Sequence, residues 1–405
     1  MNSRNIQIII IFAVIALRLV PAILGFGYIS DWNSIQNQGN DVWNDLQNYY
    51  TEEKFYNIYP PLYLAMPLFA QFMSEFALQD YILWWKIPLI ITDALLALLI
   101  FKIARKMKFS QKKSFIAAMI FAFIPFSVIT TGFYAQVDSV PLLLSLTAFY
   151  WFEFKEDKLL IPGLALGAAI AFKLFPIILL PLFLMKIASG NKERIKFAAV
   201  SLAPMVLLFL PFLYWNFFGV INNVFLTSSS VPDFGYGGIV SAIWYLFASG
   251  KFKAPEIVVA VGKLFFFASL FALYFFRGKK DTLINLIIMA FLCFYVFSPG
   301  ISAQHLLWVV PFALLTNDKM FKFHAILGSV AVISFLISIH DTVFAGPNRE
   351  FLGLIQLMND PARIIFVVFN VLWWASMILW LYIKLRPKSR ISSSINNRPF
   401  EPGSN

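Results

Sequence analysis

Charge is what this 405-residue chain has least of. Asp, Glu, Lys and Arg make up 13% of it, about half the roughly 25% of an ordinary soluble domain. Hydrophobic residues supply 60% and aromatic residues 18%, so a soluble fold is excluded and a polytopic membrane protein is implied. Cysteine is nearly missing. Cys293 stands alone inside an apolar run, which excludes an intramolecular disulfide and leaves the outer loops to be held by packing. The first apolar run lacks an Ala-x-Ala-like cleavage site and closes on Arg18-Leu19-Val20-Pro21; it reads as a retained anchor and not as a signal peptide. No repeat of roughly 20 to 50 residues is visible, which excludes a solenoid. Acids are short relative to bases, giving a net charge of +11. In a membrane protein that excess collects in cytoplasmic loops, and it carries no implication of nucleic-acid binding.

The basic clusters orient the chain. Lys102 to Lys113, KIARKMKFSQKK, holds six basic residues and no acid, and Lys186 to Lys196, Arg277 to Lys280, Lys319 to Lys322 and the tail from Lys384 are further inside markers. The opposite marker is Asp31 to Pro61, which follows the first span and carries Asp31, Asp41, Asp45, Glu52 and Glu53 against Lys54. If that loop is outside and residue 102 inside, an odd number of crossings separates them. Of the runs 59–78 and 81–101, the first begins Tyr59-Pro60-Pro61 and carries Gln71, Ser74 and Glu75, so it is expected to lie along the outer interface. Residues 159–185 have cytoplasmic-looking flanks on both sides, three prolines and a central Lys173. They read as two short helices meeting near the outer side, with Lys173 at the break. Further spans are expected near 114–133, 139–154, 196–214, 255–276, 282–298, 302–316, 322–340 and 361–383. The expected fold is an all-α integral membrane bundle of about twelve helices. Residues 1–391 form one domain with a first outer loop at 26–80, both ends are cytoplasmic, and 392–405 is a disordered tail.

Ionisable residues inside spans are functional candidates, because a charge at the bilayer centre costs about 3 kcal/mol. Here they are Arg18, Lys86, Asp93, Asp138 and Lys173, with His305 as a titratable addition. Each also has a structural reading. Arg18 snorkels to headgroups, Lys86 and Asp93 pair with other spans, Asp138 caps a helix at an outer turn, and Lys173 and His305 make interhelical hydrogen bonds. The other loop acids read as solvated charges. Acids and cations gathered on one face suit group transfer: a carboxylate takes a proton from an attacking hydroxyl while cations stabilise a departing phosphate. The loop aromatics, Trp32, Trp43, Tyr49, Tyr50, Phe55, Tyr56 and Tyr59, suit sugar stacking and interfacial anchoring equally.

Four segments, in order, resemble the glycosyltransferase C superfamily, membrane enzymes that use polyprenyl- or dolichyl-phosphate sugars. The first loop runs Asp31, Gly39, Val42-Trp43 and Asn57-Ile-Tyr-Pro-Pro-Leu62, similar to that superfamily's loop, where an Asp precedes a short helix and a Tyr-Pro-Pro-Leu turn. Gly132-Phe-Tyr-Ala-Gln136-Val-Asp138-Ser139 is similar to its Gly-Gln-x-Asp-Ser turn, with Ala135 in place of the Gly. Ala171-Phe-Lys173-Leu-Phe-Pro176 resembles its Lys-x-x-Pro stretch. Ser298-Pro299-Gly-Ile-Ser302-Ala-Gln304-His305-Leu-Leu-Trp308 resembles the Ser-Pro-x-Ser-x-x-His-His segment of polyprenyl-phosphate-mannose-dependent enzymes. It differs by an extra residue before Ser302 and by Gln304 in place of the first His; a similar segment in the glycosylphosphatidylinositol mannosyltransferase branch carries Gln-Tyr.

The resemblance implies a hexosyltransferase, mannose foremost, that works on the extracytoplasmic side of the cell (inner) membrane with inversion at the sugar carbon. Asp31 would be the general base on a glycan or glycolipid acceptor. Lys173, His305 and Arg18 would meet the donor phosphate, and Gln136, Asp138 and Tyr59 would line the sugar pocket. The first loop lacks an Asp-x-Asp pair, since Asp31-Trp32-Asn33 has no second acid, so neither a metal nor another cofactor is implied. The main alternative is a transporter or a flippase for lipid-linked glycans, which would pair broken helices between two repeated halves. The break at 159–185 has no obvious counterpart in the second half.

Overall fold

The computed structural model describes residues 2–24, 29–51, 57–77, 80–155, 159–227, 256–298, 300–316, 318–338 and 359–386. Their regular structure is helical. The helices are α1 (Ser3–Ile23), α2 (Ile29–Asp45), α3 (Ala65–Ala77), α4 (Tyr81–Lys106), α5 (Gln111–Phe123), α6 (Pro125–Val128), α7 (Ser139–Phe154) and α8 (Leu160–Phe172). They continue as α9 (Leu180–Lys186), α10 (Asn191–Val220), α11 (Glu256–Arg277), α12 (Leu283–Phe297), α13 (Val310–Ala313), α14 (Phe321–Ser338) and α15 (Asn359–Leu385).

Among the described residues, six helices are long and apolar enough to cross a membrane, or seven if the bent pair Gln111–Phe123 and Pro125–Phe133 is one span. The remaining apolar helices are shorter, among them Ser139–Phe154, Leu160–Phe172 and Leu283–Phe297. The expected straight span at 114–133 is bent by 58°. Pro125 supplies no backbone N–H and forces the preceding Ile124 into an extended conformation (φ −56°, ψ 121°), which ends α5.

Two expectations about irregular segments match the structure. Residues 61–77 form a short 3₁₀ turn (Pro61–Leu64) followed by the 13-residue α3, whose length of about 20 Å is too short for a crossing. The 159–185 stretch breaks at Lys173: α8 ends there in an extended residue (φ −152°, ψ 137°), and a 3₁₀ turn, Phe175–Leu179, leads into α9. α8 lies close against α10 through Gly163 and Gly167. A Cβ at Gly167 would stand 2.5 Å from the Ser201 carbonyl and one at Gly163 2.8 Å from Val200, the close approach that small residues four apart permit between membrane helices.

The buried residues form two main clusters. The larger runs through α1, α4, α5, α7, α8 and α12 to α15. The second joins α2, Tyr49, Tyr50, Tyr63, the start of α4, Ala135, Val137, Phe172 and Phe212. It is the packing of the first loop onto the bundle, and hydrogen bonds reinforce it. Tyr50 Oη donates to the Tyr59 carbonyl at 2.6 Å, Asn57 Nδ2 to the Tyr49 carbonyl at 2.5 Å and Asn223 Nδ2 to the Tyr50 carbonyl at 2.9 Å. Packing alone, expected from the lone cysteine, is therefore not all that holds this loop.

Several predicted inside markers meet at one end of the bundle. Arg277 pairs with Asp281 at 2.5 Å and donates to the carbonyls of Lys384 and Leu385. Lys384 pairs with Asp318 at 2.9 Å and donates to Asn285 Oδ1 at 2.8 Å, while Lys186 reaches the Asp281 carbonyl.

Candidate active site

The site forms where the second cluster meets the broken helix. Asp138 occupies the position just before α7, where an acid commonly caps the helix N-terminus. Its side chain makes no capping hydrogen bond. Both oxygens instead leave the helix: Oδ2 accepts from Lys173 Nζ at 2.7 Å and Oδ1 from the indole Nε1 of Trp308 at 2.6 Å. Asp138 is fully buried and the Lys173 side chain is 14% exposed, so each supplies the counter-charge that burial of the other requires. The break at residue 173 is what frees the lysine stem from a continuous helix and lets it cross to α7.

The turn before Asp138 is strained in a telling place. Ala135 has φ +59°, a left-handed conformation that costs a residue with a Cβ about 1–2 kcal/mol. This is the position where the resembled motif has glycine. The Trp85 indole holds the turn by donating to the Ala135 carbonyl at 2.9 Å, and Gln136 follows it, half-buried. A π-helical turn, Ile129–Phe133, precedes it, the kind of insertion that often marks functional sites. Gly132 in that turn permits contact with α1, since a Cβ there would lie 3.0 Å from the Arg18 carbonyl.

Aromatic rings wall the lysine. Lys173 Nζ lies 5.6 Å from the centre of the Tyr59 ring, an attractive cation–π distance. Tyr59 stacks on Tyr63 at 4.1 Å, and Tyr63 meets Trp85 and Phe172 edge-on. Tyr63 Oη donates to Gln38 Oε1 of α2 at 2.5 Å. On the other side Phe175 stacks on Trp308 at 3.9 Å and 7°. Trp308 thus fixes Asp138 by its N–H and the segment after Lys173 by its face.

His305 sits on the 3₁₀ turn Ala303–Leu307, 4.5 Å from Trp308 ring to ring. Its Nδ1 accepts from the Ser302 backbone N–H at 3.0 Å, so the ring carries its proton on Nε2 and acts as a neutral donor. Two further side chains hold this turn. Tyr295 Oη donates to the His305 carbonyl at 2.7 Å, and His324 Nε2 to the Leu306 carbonyl at 2.8 Å. His324 in turn accepts from Trp373 Nε1 at 3.0 Å and stacks on Tyr295. None of these holders was foreseen. The rule that flagged His305, a titratable group within an apolar run, applies equally to His324 and would have found it.

Asp31 lies in the first turn of α2, and its side chain is outside the described residues. Its neighbour Trp32 packs against the second cluster, with Lys86 Nζ 5.0 Å from its ring centre. Arg18, expected at the donor phosphate, is elsewhere. Its side chain is fully buried, its Nε pairs with Asp93 of α4, and it donates to Ser127 Oγ at 2.7 Å and the Ala122 carbonyl at 3.2 Å. A guanidinium so committed ties α1 to α4, α5 and α6. Asp93 has the interhelical pairing role expected of it. Lys173, Asp138, His305 and Tyr59 are brought together; Arg18 is not among them. Among the described residues, no group of three or more His, Cys, Asp or Glu side chains gathers to hold a metal.

Comparison with known proteins places this geometry in a family. The chain is 24% identical over 293 residues, 66% of its own length and 72% of the relative's, to GPI mannosyltransferase 1 of Candida albicans. Its fold is similar to that of ArnT from Cupriavidus metallidurans, solved with undecaprenyl phosphate bound. The TM-score is 0.50 at 12% identity, over 95% of this chain and 78% of that one. The model of glycosyltransferase family 87 matches residues 57–299, more than half of the chain and the stretch that carries Tyr59, Asp138 and Lys173. The chain belongs to glycosyltransferase family 87.

Proposed function

We propose that this protein transfers a hexose, mannose foremost, from a polyprenyl- or dolichyl-phosphate donor to a glycan or glycolipid acceptor on the extracytoplasmic side of the membrane. The acceptor oxygen attacks the anomeric carbon from the face opposite the phosphate and its proton passes to the Asp31 carboxylate. The bond from that carbon to the phosphate oxygen breaks, and the electron pair leaves with the lipid phosphate, giving inversion. Lys173 meets the developing phosphate charge with its ammonium and His305 with its Nε2–H. Charge stabilised in a dry, preorganised site lowers the barrier more than the same contacts in water. Gln136 and Tyr59 line the sugar pocket, and Asp138 holds Lys173 at its rim.

The observation that carries this reading is the convergence of Lys173 and Trp308 on Asp138, with the His305 ring against Trp308. It gathers three separately recognised sequence segments into one cation-bearing cluster. The mannosyltransferase name of the Candida relative and the undecaprenyl phosphate in the ArnT structure support the choice of sugar and donor. Mass spectrometry of lipid-linked glycans from a deletion strain tests it. Loss of one hexose from a glycan, restored by the wild-type gene, with mannose transferred from added polyprenyl-phosphate mannose only by membranes that carry the gene, is the expected result. An unchanged glycan profile, or restoration only by a different sugar donor, would overturn the assignment of activity or of sugar respectively.

A further inference from the structure

A second concavity lies at the other end of α4. It has a volume of 340 Å³ and is lined by Ser3 and Gln7 of α1 and by Phe101, Lys102, Arg105 and Lys106 of α4. Trp85, which holds the Ala135 turn, and Lys102 are 17 residues apart on that helix, or about 25 Å. The cavity is thus remote from the sugar chemistry.

Three cations converge on it within a little more than one helical turn, and no carboxylate is among its lining residues. Like charges four apart on a helix, as Lys102 and Lys106 are, destabilise it. The ordinary explanation for basic residues in a last turn is that they satisfy the terminal carbonyls. Here the backbone does that itself: Lys108 adopts φ +63°, its N–H bonds the Arg105 carbonyl at 3.1 Å, and the Phe109 N–H bonds the Ala104 carbonyl at 3.0 Å. The side chains are also held in place. Lys102 Nζ lies over the Tyr150 ring at 4.9 Å, and Arg105 Nη1 donates to the Phe109 carbonyl at 2.7 Å. From the facing helix, Ser3 and Gln7 add neutral hydrogen-bonding groups. Phe101, buried at 3% exposure, forms an apolar floor.

We propose that this cavity binds a phosphate group, as carried by an anionic phospholipid headgroup at the basic face of the membrane. Fixed cations, hydroxyl and amide donors, and an apolar floor are the chemistry that such a headgroup recognises.

Native mass spectrometry of the purified full-length protein, equilibrated with equal amounts of phosphatidylglycerol and phosphatidylcholine, tests the proposal. The wild type is expected to retain phosphatidylglycerol preferentially. Lys102→Gln/Arg105→Gln/Lys106→Gln is expected to weaken that retention at least about tenfold, and Arg105→Gln alone to weaken it in part. A control triple from the same basic end, Lys112→Gln/Lys113→Gln/Lys319→Gln, should leave it unchanged. Both triples are compared as monodisperse preparations. Retention insensitive to inorganic phosphate at matched ionic strength assigns the lipid as ligand, and displacement assigns free phosphate; either upholds a phosphate site. Undiminished retention in the first triple, or equal loss in the control triple, overturns it.

Discussion

Lys173 Nζ and Trp308 Nε1 divide the two oxygens of Asp138 between them, and this fixes what single substitutions should do. Removing one member of a buried pair leaves a charge without its partner, at a cost of about 3–5 kcal/mol. Lys173→Met and Asp138→Asn are each expected to lower thermal stability in detergent. The double variant should regain most of that stability, because no isolated charge remains, yet stay inactive; failure of the double variant to recover would mean that the pair is not what couples the two residues. Ala135 makes the opposite case. Its left-handed backbone is relieved by Ala135→Gly, which is expected to raise stability by up to about 1 kcal/mol after the entropic cost of glycine. A lower melting temperature in that variant would count against strain at this turn. The sequence signalled the position, since Ala135 stands where the resembled motif has glycine, but it gave no sign that Trp308 would serve as the joint between two motifs.

At the scale of elements, irregularity was more legible than length. Proline and a central lysine marked the break at 173, and polar residues marked the run 59–78 as unsuited to a crossing; both follow from local chemistry. The bend at Ile124 carried the same proline signal, in Pro125, whereas the many short helices were not legible, because hydropathy measures a run and not its straightness. Arg18 shows the same limit. Its place near the outer end of α1 suggested a ligand, whereas packing against α4, α5 and α6 put Asp93, the Ala122 carbonyl and Ser127 around it. Arg18→Leu is expected to destabilise the fold by about 3–5 kcal/mol, and Arg18→Leu/Asp93→Leu to recover part of the loss. A near-neutral single variant in an unfolding assay would refute the clamp. Outside the spans, burial alone would raise the Asp318 carboxyl, but the hydrogen bond and charge of Lys384, helped by the Trp380 indole and the Met320 N–H, carry it below its ordinary 3.8. A lowered folded value contributes stability above the unfolded one that is lost as pH falls through the folded value. Melting temperature should therefore drop below about pH 4, and Asp318→Asn should flatten that acid limb; an unchanged limb would show that other carboxylates set it.

Across the whole molecule, the order of the motifs pointed to the kind of fold that the structural comparison supports. Inside markers read separately from the sequence, Lys186, Arg277 and Lys384, join one polar network through Asp281 and Asp318. The cluster of Lys173, Asp138 and His305 draws on the start of α7, the break after α8 and the turn before α13, elements 130 residues and more apart in places, so no local pattern could have shown them touching. Only the order of the motifs hinted at it. The central claim is that this cluster holds the phosphate of a lipid-linked sugar while Asp31 takes the acceptor proton. It is tested most directly by sugar transfer from polyprenyl-phosphate mannose in membranes with matched amounts of folded wild type, Asp31→Asn and Lys173→Met. Both variants should lose transfer by roughly 10²–10³-fold, with Asp31→Asn still competing for donor and Lys173→Met failing to do so. Wild-type turnover by either variant would contradict the role given to that residue.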